Sequence, residues 1–168
     1  MKARSENRPD REHERGQSIV EISLMTPLLL IALYIPVDFG IAFYMANLTQ
    51  NAVREGARIG SGLGTPFGNS EATTVKNAVL SRMPSNSSYF SNRSVTVSFY
   101  DGTNCMVFVE VSATGTYNYF LYQLLRFFGL SAPDTVPISR KTLMRYNYQT
   151  YSNTTACTTA ATFGPFTS

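Results

Sequence analysis

Between Ile22 and Ala46 the chain runs for 25 residues with a single charge, Asp38. As an α-helix at 1.5 Å per residue this stretch is roughly 38 Å long, more than the ~30 Å hydrocarbon core of a bilayer. A secretory signal peptide has a shorter apolar core with a small-residue cleavage site behind it, and no such site follows here. The stretch therefore reads as a retained transmembrane helix. Residues 1–15 mix five bases (Lys2, Arg4, Arg8, Arg11, Arg15) with four acids (Glu6, Asp10, Glu12, Glu14) and lack apolar periodicity, as a solvated leader does. A short flank carrying bases belongs on the cytoplasmic side, which places the remainder of the chain outside.

Composition narrows the function. Only 15% of the 168 residues are charged, and 14 bases against 11 acids leave a net charge of +3, without the basic clustering that nucleic acid requires. The single His13 and the two distant cysteines, Cys105 and Cys157, supply neither a four-ligand zinc site nor a catalytic dyad. Asp101, Glu110 and Asp134 are scattered, and no spacing joins a nucleophile to a base. No metal, cofactor or nucleic-acid partner is expected, and no enzymatic activity.

Two features distinguish the helix from a plain anchor. Glu21 stands at its cytoplasmic start among Ile19, Val20 and Ile22. An unpaired carboxylate inside hydrocarbon costs about 3 kcal/mol, so Glu21 either lies among headgroups near the positive helix end or finds a cationic partner. Pro27 and Pro36 each remove one internal hydrogen bond.

The residues before Glu21 bear on that choice. The junction Arg15-Gly16-Gln17-Ser18-Ile19-Val20-Glu21 resembles the class III signal sequences cut by type IV prepilin peptidases. Cutting after Gly16 leaves Gln17 with a free amine, a cation able to pair with Glu21 of an adjacent subunit and set the packing register. Further along come Pro27-Leu28-Leu29-Leu30, Asp38-Phe39-Gly40 and Ala52-Val53-Arg54-Glu55-Gly56-Ala57-Arg58. In order and spacing, residues 15–60 resemble TadE-like proteins, the pilin-like components of tight-adherence (Tad) pilus systems. The resemblance implies a non-enzymatic minor pilin or pseudopilin in a bacterial inner membrane, incorporated in a surface pilus or acting in its assembly. Its partners would be other pilin or pseudopilin subunits, the assembly machinery and the prepilin peptidase. The family often closes with a Met-Arg-x-Glu strand; here Met144-Arg145-Tyr146-Asn147 lacks the acid. The competing function is a single-pass surface or adhesion module that keeps its N-terminus intact and has no use for Glu21.

Beyond the membrane, Phe39, Ala42, Ala46, Val53 and Ala57 recur at near-helical spacing, and frequent Ala and Gly allow close backbone approach. The helix is expected to continue to about Gly60 as the spine of a head. Asp38, near the outer interface, reads first as a solvated boundary residue and second as an assembly contact. Arg54 and Arg58, one turn apart, form either a solvated face or a partner surface.

Ser70 reads as the N-cap of a second helix lined by Ala72, Val75, Ala78, Val79 and Met83 and stopped by Pro84. Val95, Val97 and Phe99 alternate before Asp101-Gly102, and Met106 to Val111 is β-prone, which predicts a hairpin. A third strand is expected over Ile138–Tyr148. The apolar segment Tyr119–Leu130 is too short to span a bilayer and reads as core, as a lipid-surface element or as a docking patch. Outside the cytoplasm Cys105 and Cys157 either form one disulfide or remain free thiols. After Arg145 the chain is uncharged, a tail laid on the sheet or ordered by a partner.

The expected fold class is thus α+β, a long transmembrane helix packed by its outer half on a small antiparallel sheet. Three segments are expected: a cleaved leader (1–16), a transmembrane and spine helix (17–60) and an extracytoplasmic head (61–168).

Overall fold

The computed structural model describes residues 11–63, 68–101, 106–120, 129, 134–147 and 161–167. Helix α1 runs from Arg11 to Gly62, α2 from Asn69 to Arg82, and four strands follow: β1 (Phe90–Asp101), β2 (Val107–Asn118), β3 (Thr135–Arg145) and β4 (Ala161–Thr167). The chain divides into two units, the first ending at Val37 and the second starting at Asp38. In the first, residues 16–37 of α1 are exposed all round, with Pro27 and Pro36 inside the helix. The hydroxyls of Ser23 and Thr26 donate back to the carbonyls of Ile19 and Ile22 at 2.8 and 2.7 Å, so neither leaves an unpaired polar group on that apolar surface.

In the second unit the outer half of α1 packs with α2 on one face of a four-stranded antiparallel sheet of order β3-β2-β1-β4. The expected α+β architecture is present. From α1, Ala46, Thr49, Ala52, Val53, Gly56, Ala57 and Gly60 are buried, a stripe at the 3–4 residue spacing of one helix face. They meet Val75 and Val79 of α2 and the inward residues Val95, Val97, Val109, Val111 and Ala113 of the sheet. The seam is made of small residues because the backbones come close. A Cβ on Gly56 would lie 2.3 Å from Cγ2 of Val79, and one on Gly115 would lie 2.2 Å from Cζ of Phe90. A glycine inside a strand marks such an approach, here a phenyl ring laid flat over β2.

Several elements depart from the sequence reading in instructive ways. The N-cap of α2 is Gly68, not Ser70. Glycine offers no capping side chain, so Glu71 turns back to accept the Gly68 N–H at 2.9 Å, and Ser70 donates to the same carboxylate oxygen at 2.8 Å. These bonds, led by the one from Ser70, hold the Glu71 carboxyl below the usual carboxylate range. The hairpin is longer than its alternating core, pairing Phe90 with Tyr117 at one end and Asp101 with Val107 at the other. A register shift between Ser91 and Ser94 accommodates Asn92 at φ 53°, a conformation that asparagine tolerates better than most residues.

Strand β3 starts at Thr135, before Pro137, rather than at Ile138. It pairs only with β2, and a proline without an N–H is tolerated on an edge strand. The tail contributes β4, which the sequence reading did not assign as a strand. It lies against β1 with Phe166 opposite Val95 and Phe163 opposite Val97. Phe163 meets Phe99 edge-on at 6.2 Å, and Lys76 of α2 sits 5.2 Å over the Phe166 ring.

The far end of α1 is closed by β3. The Asn147 N–H donates to the Ser61 carbonyl at 2.9 Å, and the Tyr146 hydroxyl donates to the Leu63 carbonyl. Carbonyls at a helix C-terminus have no partner within the helix, and these donors satisfy two such groups at or just past its end. Gln50 adds a bond from Nε2 to Oγ1 of Thr142 at 3.0 Å.

The seam can be tested by adding single methyl groups. Gly115→Ala is expected to destabilise the full chain in detergent by about 1–3 kcal/mol, as overpacking does. Gly62→Ala, where a Cβ meets nothing within 4 Å, should cost nothing. Chemical denaturation followed by the tyrosine near-ultraviolet dichroism separates the two.

Candidate assembly site

The proposed processing residues, Gly16 and Gln17, lie on α1 with exposed side-chain positions, and Glu21 is exposed one turn further on. Among the described residues no ion pair reaches Glu21. Pro27 lacks the N–H that would bond the Ser23 carbonyl, which loosens the helix at that turn.

Asp38 is where the structure departs most from expectation. It is not a solvated boundary residue: only 5% of it is exposed. The Tyr117 hydroxyl donates to its Oδ1 at 2.8 Å, and the Phe120 backbone N–H donates to the same oxygen at 3.2 Å. A carboxyl group taken out of water is tolerated when such donors replace the solvent. Both come from the end of β2 and the residues just after it. Tyr117 is fully buried, its ring edge-on to Tyr119 at 5.3 Å, and Tyr119 is tilted against Phe39 at 5.8 Å. The Tyr119 N–H in turn donates to the Asp134 carbonyl at 2.8 Å, next to the start of β3. Burial, followed by the bond to Asp38, pushes the Tyr117 hydroxyl well above the ordinary phenol range.

Arg54 and Arg58 lie elsewhere on α1, both exposed. Arg58 forks onto Glu55 with Nε at 3.0 Å and Nη2 at 2.7 Å, and Arg82 of α2 approaches the same carboxylate at 3.3 Å. The Arg58 hydrogen bond keeps the Glu55 carboxyl below its usual range. The structure thus brings Glu55, Arg58 and Arg82 together and leaves Arg54 outside the cluster. Cys105 and Cys157 lie outside the described residues, as do residues 121–128 of the apolar segment. Among the described residues no group of three His, Cys, Asp or Glu side chains converges as a metal site would require.

Tyr117 and Tyr146, which fasten the two ends of the α1–sheet contact, were not singled out from the sequence. The usable signal for Tyr117 was its place in the alternation Val109, Val111, Ala113, Gly115, Tyr117, which turns a phenol inward where it needs an acceptor.

An apolar N-terminal helix packed on a four-stranded antiparallel sheet is a pilin-like architecture, and the helix has the length and hydropathy for membrane anchoring. Residues 16–58 match the family described as TadE-like protein. That match runs from Gly16 through Asp38 to Arg58. No curated protein and no solved structure matches the chain.

Two substitutions test the Asp38 contact. Tyr117→Phe and Asp38→Ala are each expected to cost about 1–3 kcal/mol, with the double variant costing clearly less than the sum. Because the folded pKa of Tyr117 is raised, the stability linked to it is fully present below about pH 10, where unfolded tyrosine titrates, and falls as the pH climbs from there toward the folded value. Alkaline unfolding should therefore show a shallower loss of stability in Tyr117→Phe than in the parent chain.

Proposed function

We propose that this chain is a non-enzymatic minor pilin or pseudopilin acting in assembly of a Tad-type pilus. The match to TadE-like proteins over residues 16–58 carries the reading, since it covers the leader junction and the whole apolar helix. In this account residues 1–16 are a cytoplasmic leader removed by prepilin peptidase, residues 17–60 form the transmembrane and spine helix, and residues 61–168 complete a head outside the inner membrane. The new amine of Gln17 pairs with Glu21 of a neighbouring subunit. Its support is physical: Glu21 is an exposed acid on an apolar helix, and a charge there gains by meeting its opposite during lateral packing. Pro27 loosens the same helix just beyond. Arg54 and Arg58, exposed on α1 above the apolar stretch, serve as contacts for other pilus subunits or the assembly machinery. In an oxidising compartment Cys105 and Cys157 form a disulfide that ties the tail to the hairpin.

The experiment is N-terminal sequencing of membrane-extracted protein from cells that express the peptidase. Mature protein should begin at Gln17, Gly16→Ala should retain Met1, and Glu21→Ala should be trimmed normally while pili are lost. A parent chain that persists from Met1 beside an active peptidase would favour the surface-module reading instead. Normal piliation in Glu21→Ala would remove the pairing role.

A further inference from the structure

At the end of the head where Asp38 lies, large aromatic side chains are left uncovered. Phe39, Phe43 and Tyr44 of α1 are 56%, 68% and 59% exposed, and Tyr89 and Phe120 beside the sheet are 47% and 46% exposed. All belong to one level of the head. The Phe120 N–H is bonded to Asp38, the Tyr89 carbonyl accepts the Asn118 N–H at 2.9 Å, and Asp38 to Tyr44 is less than two turns of helix, about 9 Å. The opposite end of the head, marked by Gly60 against Val75 and Val109, lies about 33 Å further along α1.

These aromatics stand on both sides of the molecule. The stripe through Ala42, Ala46 and Thr49 faces the sheet, whereas Phe43 and Tyr44 fall outside it, and Tyr89 and Phe120 emerge from the sheet side. A single protein partner covers one side of a surface; a ring at one level suits a planar medium. The apolar run of the sequence also reaches this level without a break, since it extends from Ile22 to Ala46. Tyrosine and phenylalanine, apolar in body and, for tyrosine, polar at the tip, collect where hydrocarbon gives way to headgroups.

We infer that this aromatic ring seats the head directly on the outer leaflet of the bilayer, with Phe39, Phe43, Tyr44, Tyr89 and Phe120 in the interfacial layer and lipid as the occupant. Asp38 is then buried at the depth where water is scarcest for the head, and the donors from Tyr117 and Phe120 take the place of that water. Asp134, exposed beside Tyr119, falls among the headgroups. The inference rests on the membrane-anchored topology proposed above, and it distinguishes a head lying on the lipid from one held away from it on a bare stretch of helix.

The chain contains no tryptophan, so single introduced indoles report without background. Full-length Phe120→Trp, Tyr89→Trp, Thr73→Trp and Leu29→Trp are reconstituted in phosphatidylcholine–phosphatidylglycerol vesicles, with and without brominated acyl chains. Thr73 lies on the exposed face of α2 toward the far end, and Leu29 lies in the middle of the apolar helix. Phe120→Trp and Tyr89→Trp should show blue-shifted emission and lose most of it to the brominated lipid, Thr73→Trp should keep it, and Leu29→Trp should be quenched. If Leu29→Trp is quenched while both rim indoles emit like Thr73→Trp, the seating on lipid is wrong although the anchor stands. Rim indoles that are blue-shifted but insensitive to bromine would assign the ring to a protein neighbour and equally overturn the inference. An unquenched Leu29→Trp would overturn the anchor and the inference together.

Discussion

A carboxyl group in the middle of an apolar stretch demands a reason, and the bond between Asp38 and the end of β2 supplies it. An aspartate at this point of the helix is costly in hydrocarbon and needless in water. Buried beneath Tyr117 and the Phe120 N–H, it becomes the one polar point at which the sheet is registered on α1 near the apolar stretch. At the other end of the same contact, Tyr146 and Asn147 hold the last carbonyls of the helix region. Between these two fastenings lies only small-residue packing, which has little directional preference of its own. The hydrogen bonds therefore fix the sliding position of β2 and β3 along α1, and the apolar seam supplies the bulk of the adhesion.

The same helix meets two environments. Up to Val37 it offers apolar side chains in every direction, the pattern of a segment whose solvent is lipid or other helices. From Asp38 onward it is one-sided, with Ala, Gly, Thr and Val toward the sheet and Arg54, Arg58 and the polar residues away. The sheet repeats this division: Val95, Val97, Val109 and Val111 point to the helices, and Ser, Thr, Glu110 and Lys141 line the opposite face. Nothing in this arrangement assembles a reaction centre among the described residues, and its specialised surfaces are all surfaces of contact.

What the sequence disclosed follows from how local each signal is. The long helix was legible because twenty-five residues with one charge have few alternatives, and the hairpin because Val95, Val97 and Phe99 alternate ahead of Asp101. The cap of α2 was misplaced because Gly68 carries no side chain to announce itself, the work being done by Glu71 three residues on. The start of β3 was read late because Pro137 looks like a strand breaker until its strand is known to be an edge. Strand β4 escaped because Gly164 and Pro165 interrupt any alternation there. The burial of Asp38 was out of reach for a different reason: its partner Tyr117 is 79 residues away, and nothing near Asp38 specifies it.

The strand order has a temporal side. β1 is the first strand to be synthesised, yet one of its two neighbours, β4, is the last. Until that closing ribbon arrives, β1 presents an open row of backbone donors and acceptors, with the Val95 and Val97 end of the core unroofed by Phe166 and Phe163. A nascent chain already moored by its helix would thus hold a sticky border for the remainder of its synthesis, in a crowd of identical molecules confined to two dimensions. The late ribbon acts as a self-supplied plug, so that each molecule seals its own flank before a sibling's strand can occupy it.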